Sequence, residues 1–160
     1  MPKVTGLGHV GLYVQDVPKM IDFYSNFLGL EVTDRGNGDW IVFLSARPNE
    51  EHHELALVRS TEQKTDAQQI SFTVASLADL KGFYARIKER GYAIDSVVNH
   101  GIAFGCYFRD PEDNRVEVYW PTGKSYPQPH ADPIDLEADD AALIDLLDNM
   151  PAKTSAGVEV

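Results

Sequence analysis

The chain has 160 residues with a formal net charge of −11, and 43% of it is hydrophobic. That is enough apolar material for one domain plus a tail, since single cores are typically built from about 100–150 residues. The acidity excludes a nucleic-acid or anionic-membrane surface, which demands clustered Lys and Arg to neutralise phosphate. A single cysteine, Cys106, excludes an internal disulfide, no apolar run approaches the roughly 20 residues of a membrane helix, and no charged-then-apolar leader opens the sequence, so a cytoplasmic location is expected.

In chain order, the first predicted element is a period-two strand, His9-Val10-Gly11-Leu12-Tyr13-Val14, with Val10, Leu12 and Val14 on one face. Asp16 is a candidate N-cap for a helix whose apolar stripe is Val17, Met20, Ile21, Tyr24, Phe27 and Leu28, and which stops at Gly29. Strand-like runs follow at Leu30 to Asp34, Trp40 to Ser45 and Glu54 to Arg59, separated by turn chemistry at Gly36-Asn37-Gly38 and Arg47-Pro48-Asn49.

The pattern then starts again at a shift of 60 positions, without a gap. Gln69-Ile70-Ser71-Phe72-Thr73-Val74 repeats the strand, and Ser76 repeats the cap. Leu77, Leu80, Phe83, Tyr84 and Ile87 repeat the stripe, and Gly91 repeats the stop. Runs at Tyr92 to Val98, Ala103 to Arg109 and Arg115 to Trp120 complete the unit, the last two flanking the turn Asp110-Pro111-Glu112-Asp113-Asn114. The expected fold class is α+β: two tandem βαβββ modules, at about 5–60 and 67–122, forming a curled mixed sheet around one cavity. Residues 123–160, rich in Pro and acid with a helix-like stretch from Ala141 to Leu147, are expected to form an extended C-terminal tail that wraps the body or a partner and ends in a disordered stub.

Strand parity puts His9, Gly11 and Tyr13, and in the second half Gln69, Ser71 and Thr73, on the faces away from the helices. The last strands add Glu54 and Glu117 at matched ends of the repeats. Imidazole, carboxylate and amide oxygens are ligands for a borderline divalent ion, so His9, Glu54, Gln69 and Glu117 are the expected metal ligands, with Fe(II) or Mn(II) favoured and Ni(II) or Zn(II) as alternatives. Each has a plainer reading, a hydrogen-bonded strand histidine or a solvated edge carboxylate, and only the fourfold arrangement singles them out. Trp40, Phe43, Phe104, Tyr119 and Trp120 suit an aromatic-lined pocket where they turn inward, and core packing otherwise.

Gly8-His9-Val10-Gly11-Leu12, Phe23-Tyr24 with Leu28-Gly29-Leu30, and Asp110-Pro111-Glu112-Asp113-Asn114-Arg115-Val116-Glu117-Val118-Tyr119 together resemble the vicinal oxygen chelate superfamily of glyoxalases, bleomycin-resistance proteins and extradiol dioxygenases. The resemblance covers about residues 5–122, within an expected domain of residues 1–122, and implies a divalent metal at His9 and Glu117, chelated by a small-molecule substrate. His53-Glu54-Leu55-Ala56-Leu57 resembles the stretch that carries the acid/base histidine of the ring-cleaving dioxygenases. His100-Gly101 resembles their His-Gly that helps bind dioxygen or substrate, and Tyr107 their substrate-bonding tyrosine. The implied catalytic residues are therefore His53, His100 and Tyr107, and the implied activity is extradiol cleavage of a catechol-like aromatic. Gln69 departs from the pattern, because it stands where those enzymes have a second histidine ligand. Two alternatives stay open: a glyoxalase- or epimerase-type isomerase or lyase in which Glu54 or Glu117 moves a proton alpha to a carbonyl, and a metal-free ligand-binding protein of the resistance type. Parity favours Glu54 as the inward residue and the resemblance favours His53. A homodimer is the expected assembly.

Overall fold

The computed structural model describes residues 9–62, 69–126 and 130–151. The chain divides into two compact units: the first holds the described residues of 1–68 with Asp110–Asn114, the second those of 69–109 and 115–160.

In the first unit, β1 (Val10–Val14) leads to α1 (Val17–Ile21), which Asp16 caps by accepting from the Lys19 amide at 3.0 Å. The helix then widens into a π-helical stretch, Asp22–Phe27, closed by Leu28 N–H donating to the Phe23 carbonyl at 3.0 Å. An uninterrupted α-helix was expected here. Within this stretch the consecutive residues Phe23 and Tyr24 both turn into the core. Both are fully buried, their rings edge to face at 5.0 Å. After Gly29, at φ +90°, come β2 (Glu31–Arg35), β3 (Ile41–Ser45) and β4 (Leu55–Arg59). The sheet order is β1-β4-β3-β2, with β1 and β4 parallel and the other pairs antiparallel.

The second unit repeats the plan. It runs through β5 (Ile70–Thr73), α2 (Leu77–Arg90), β6 (Ile94–Asn99), β7 (Ala103–Arg109) and β8 (Arg115–Pro121). Ser76 caps α2 by accepting from the Asp79 amide, and Gly91 ends it in the left-handed conformation, as the sequence predicts. The order β5-β8-β7-β6 matches the first sheet strand for strand, and a further short strand, β9 (Asp132–Pro133), extends it beyond β6. The fold is thus α+β from two βαβββ modules, each with its own mixed sheet.

The prolines of the C-terminal stretch do not leave it free. Leu136, Leu143 and Leu147 are buried, the last two on α3 (Asp140–Asp148), so the segment docks on the second unit of its own chain. Lys81 holds it through the Ala138 carbonyl at 2.8 Å and Asp140 at 2.5 Å, and Lys88 pairs with Glu137. Pro127, Pro129 and the expected disordered stub after Pro151 lie outside the described residues.

Candidate functional site

Register builds the second unit's site. Across the sheet, Ser71 on β5 stands opposite Glu117 on β8, and Glu117 opposite Tyr107 on β7, so three polar side chains share one row and one face. Their neighbours Ile70, Val116 and Phe108 occupy the opposite face, and α2 packs on β8 and β7. A cavity of about 340 Å³ opens over the polar row, lined by Ser71, His100, Ile102, Ala103, Tyr107, Glu117 and Tyr119.

Glu117 is only 6% exposed; its Oε2 accepts from Ser71 Oγ at 2.6 Å, and its carboxylate is also an acceptor for the Tyr107 phenol. Gln69 Nε2 donates in turn to Ser71 Oγ at 3.1 Å. The other carboxylate oxygen fills the space where Gly105 lacks a side chain: a Cβ there would lie 2.5 Å from Oε1. A buried carboxylate with neutral donors and no ion pair among the described residues gains from a cation beside it.

Beyond it, Tyr107 Oη lies 3.0 Å from His100 Nε2, and His100 Nδ1 lies 2.6 Å from the His130 carbonyl oxygen. The Arg115 guanidinium sits over the Tyr107 ring at 4.5 Å. Burial, then the hydrogen bond to Glu117 and that carboxylate's charge, push the Tyr107 phenol up to about 12, so it keeps its proton at neutral pH. Burial and the Glu117 charge also push the Cys106 thiol up to about 12.

In the first unit the His9 and His53 rings are 4.4 Å apart, and Phe43 packs on His53 at 4.6 Å. Burial first, then His9 and His52, hold the His53 imidazole below its usual value, which favours its neutral form. His52 is exposed, with Nε2 3.7 Å from Asp34 Oδ2. Glu54, expected among the ligands, is instead occupied as a turn anchor: its oxygens accept from Ala46 N–H at 2.8 Å, Ser45 Oγ at 3.3 Å and Arg47 at 2.8 Å and 3.2 Å. Partial burial opposes ionisation, but these donors win and lower its pKa. A carboxylate so saturated has little left for a metal, or for carrying a substrate proton. Of the aromatic candidates, Tyr119 lines the cavity, Phe104 is core, Trp40 is exposed, and Phe43 backs the histidines. Trp120 packs edge-on against Phe104 at 5.9 Å.

Ser71, Gly105 and His130 were not singled out from the sequence. Parity already placed Ser71 on the Glu117 face, but nothing local marked the other two.

The profile of the Glyoxalase/Bleomycin resistance protein/Dioxygenase superfamily matches residues 6–118. The chain belongs to this superfamily. Among similar proteins, biphenyl-2,3-diol 1,2-dioxygenase 3 of Rhodococcus globerulus is 29% identical over 120 residues, 70% of this chain and 61% of that one. A manganese-dependent 2,3-dihydroxybiphenyl 1,2-dioxygenase of Geobacillus genomosp. 3 is 27% identical over 125 residues, 76% of this chain and 38% of that one. The chain thus spans less than two thirds of the length of these relatives. An integron cassette protein from the mobile metagenome of the Halifax Harbour sewage outfall shares the fold, with a TM-score of 0.61 at 23% identity over 73% of this chain and 99% of that one.

Superfamily membership raises the question of a metal. Among the described residues no group of three or more His, Cys, Asp or Glu side chains is gathered to hold one. Single donors do fit: Glu117 lines the cavity, His9 makes no hydrogen bond through its ring nitrogens among the described residues, and Gln69 donates through its amide nitrogen, keeping its carbonyl oxygen.

Proposed function

We propose that this chain is a divalent-metal-dependent oxygenase that cleaves the ring of a catechol-like aromatic in the extradiol manner, with Fe(II) or Mn(II) as the metal. The observation that carries the reading is the second unit's cavity, where an open, buried carboxylate stands beside a histidine–tyrosine pair that can move a proton. The dioxygenase relatives support it. Glu117 is the proposed anchoring ligand, with the Gln69 oxygen as a weak donor, and His9 is a proposed ligand carried over from the family resemblance alone. Bound there, the metal supplies a Lewis acid that acidifies the hydroxyls of a chelating diol.

The chain's own groups do the rest. Ser71 and the gap at Gly105 fix the direction of the Glu117 carboxylate. Ile102 and Ala103 give the cavity an apolar wall for a ring. Tyr107, held protonated, does not compete with the substrate's own oxyanion as a phenolate. His53, its neutral form favoured, is the proposed base for a diol proton.

Anaerobic reconstitution with Fe(II) or Mn(II), followed by oxygen uptake across a panel of catechols, tests the proposal. Uptake with a yellow product is expected from the wild type, and loss of both metal and uptake from His9→Ala and Glu117→Ala. One observation favours a second reading, a metal-free binding protein: the Gln69 amide is spent on Ser71, leaving a weak neutral oxygen where a strong donor would stand. Wild type and variants equally devoid of metal, but binding aromatics, would establish that reading.

A further inference from the structure

The far end of the second unit is held by residues remote in sequence from the polar row. β9 pairs with β6 beside the cavity, matching Asp132 to Asn99 and Pro133 to Val98, and Ile134 N–H donates to the Val97 carbonyl at 3.1 Å. Asn99 Oδ1 accepts from Gly101 N–H at 2.6 Å, while its amide reaches Met150 Sδ at 3.6 Å. Gly101, at φ +76°, has no room for a side chain, because a Cβ would meet Tyr126 at 2.5 Å. Tyr126 is tied in turn to the Pro151 carbonyl at 2.8 Å. The loop that presents His100 is therefore clamped between the C-terminal segment and the sheet.

We infer that this segment, residues 130–151, belongs to the site's acid–base machinery: the His130 carbonyl fixes the His100 proton on Nδ1, which makes Nε2 the acceptor that orients the Tyr107 phenol. A carbonyl oxygen can only accept, so at 2.6 Å the His100 Nδ1 must donate. The neutral ring has one N–H, which leaves a lone pair on Nε2, 3.0 Å from Tyr107 Oη, and this lone pair competes with the Glu117 carboxylate for the phenol hydrogen. In the other tautomer the ring would donate to the phenol oxygen, and the phenol hydrogen would turn to the Glu117 carboxylate. The segment thus biases which way that proton points. As built, Tyr107 turns its lone pairs, rather than its hydrogen, toward a ligand hydroxyl in the cavity. His130 is a positioning residue acting through its backbone. The tautomer assignment stands alone, and its catalytic consequence rests on the ring-cleavage reading.

The test uses the full-length, metal-free chain labelled with 15N-histidine, with imidazole proton–nitrogen correlation spectra recorded at pH 8. Wild type is expected to show His100 in the Nδ1–H form. Leu136→Asp places a charge at a buried anchor and releases the segment, verified by lost exchange protection of the Ile134 amide. His100 is then expected to pass mainly to the Nε2–H form. Should Leu136→Asp unfold the unit, Lys81→Ala with Lys88→Ala cuts the clamps without opening the core. Leu146→Asp, on the 49% exposed outer side of α3, should leave the tautomer unchanged. A wild-type Nε2–H ring, or an Nδ1–H ring that persists once the segment is free, overturns the inference. Oxygen uptake is the separate arm: at equal metal content it should fall at least tenfold on release, and unchanged uptake removes the catalytic consequence. A wild type without any uptake defeats the ring-cleavage proposal, while the tautomer result still decides this one.

Discussion

Ser71 and Gly105 act on Glu117 from two sides, one by a bond to Oε2 and one by leaving room for Oε1. Gly105→Ala should force the carboxylate to swing and weaken binding of Mn(II), followed by titration calorimetry, by about 10–100-fold, the range seen when the support of a ligand is removed. Gln69→His replaces a neutral oxygen by an imidazole and should raise the same affinity about tenfold or more. Glu54 answers to pH instead. Its folded pKa lies below the usual 4.5, so its contribution is complete above that value and vanishes as pH falls through the lowered one. The stability gap between wild type and Glu54→Gln, about 1 kcal/mol at pH 7 by urea melts, should therefore close toward pH 3. The repeat made His9, Gln69, Glu54 and Glu117 legible as matched positions. It could not show that Arg47 and the Ala46 amide would claim Glu54, because side-chain competition within a turn leaves no periodic trace. The His130 carbonyl was invisible for a stronger reason: a backbone acceptor thirty places away carries no residue code.

Helix and strand boundaries came through the alternation and the caps, with most ends within a residue or two. The π-helical stretch did not, since consecutive Phe23 and Tyr24 read equally well as one inward and one flanking residue. From that stretch Tyr24 Oη donates to Asp110 Oδ2 at 2.9 Å, in the turn between β7 and β8 that clusters with the first unit. Asp110 also accepts from the Asn114 side chain at 2.7 Å, from the Asn114 amide at 2.8 Å and from the Glu112 amide at 2.9 Å. Tyr24→Phe should cost about 1–3 kcal/mol in denaturant unfolding, because it strips one donor from a buried acid while leaving the ring in place. A near-zero change would show that water replaces the phenol. The C-terminal helix was anticipated near Ala141 to Leu147, but its docking was open between body and partner. Buried Leu143 and Leu147 with the Lys81 clamp settle it on the second unit.

At the scale of the molecule, the formal charge of −11 opposes compaction. Raising the ionic strength from about 0.01 M to 0.15 M shortens the screening length from about 30 to 8 Å and should raise Tm by about 2–4 °C in thermal melts, equivalent to about 1 kcal/mol. No helix among the described residues is long and apolar enough to cross a membrane. The duplication was the most legible feature of all, since two sheets of identical strand order emerge from one recurring pattern. Within the second of them, Cys106 is the chain's sole cysteine, fully buried on β7 one residue from Tyr107 and pushed up to about 12. It is inert while that strand stays paired, so the rate at which an alkylating reagent consumes the thiol counts the openings of the strand that carries the site. A ligand that closes the cavity should slow that clock in proportion to its occupancy, which gives an unlabelled assay for finding what binds there.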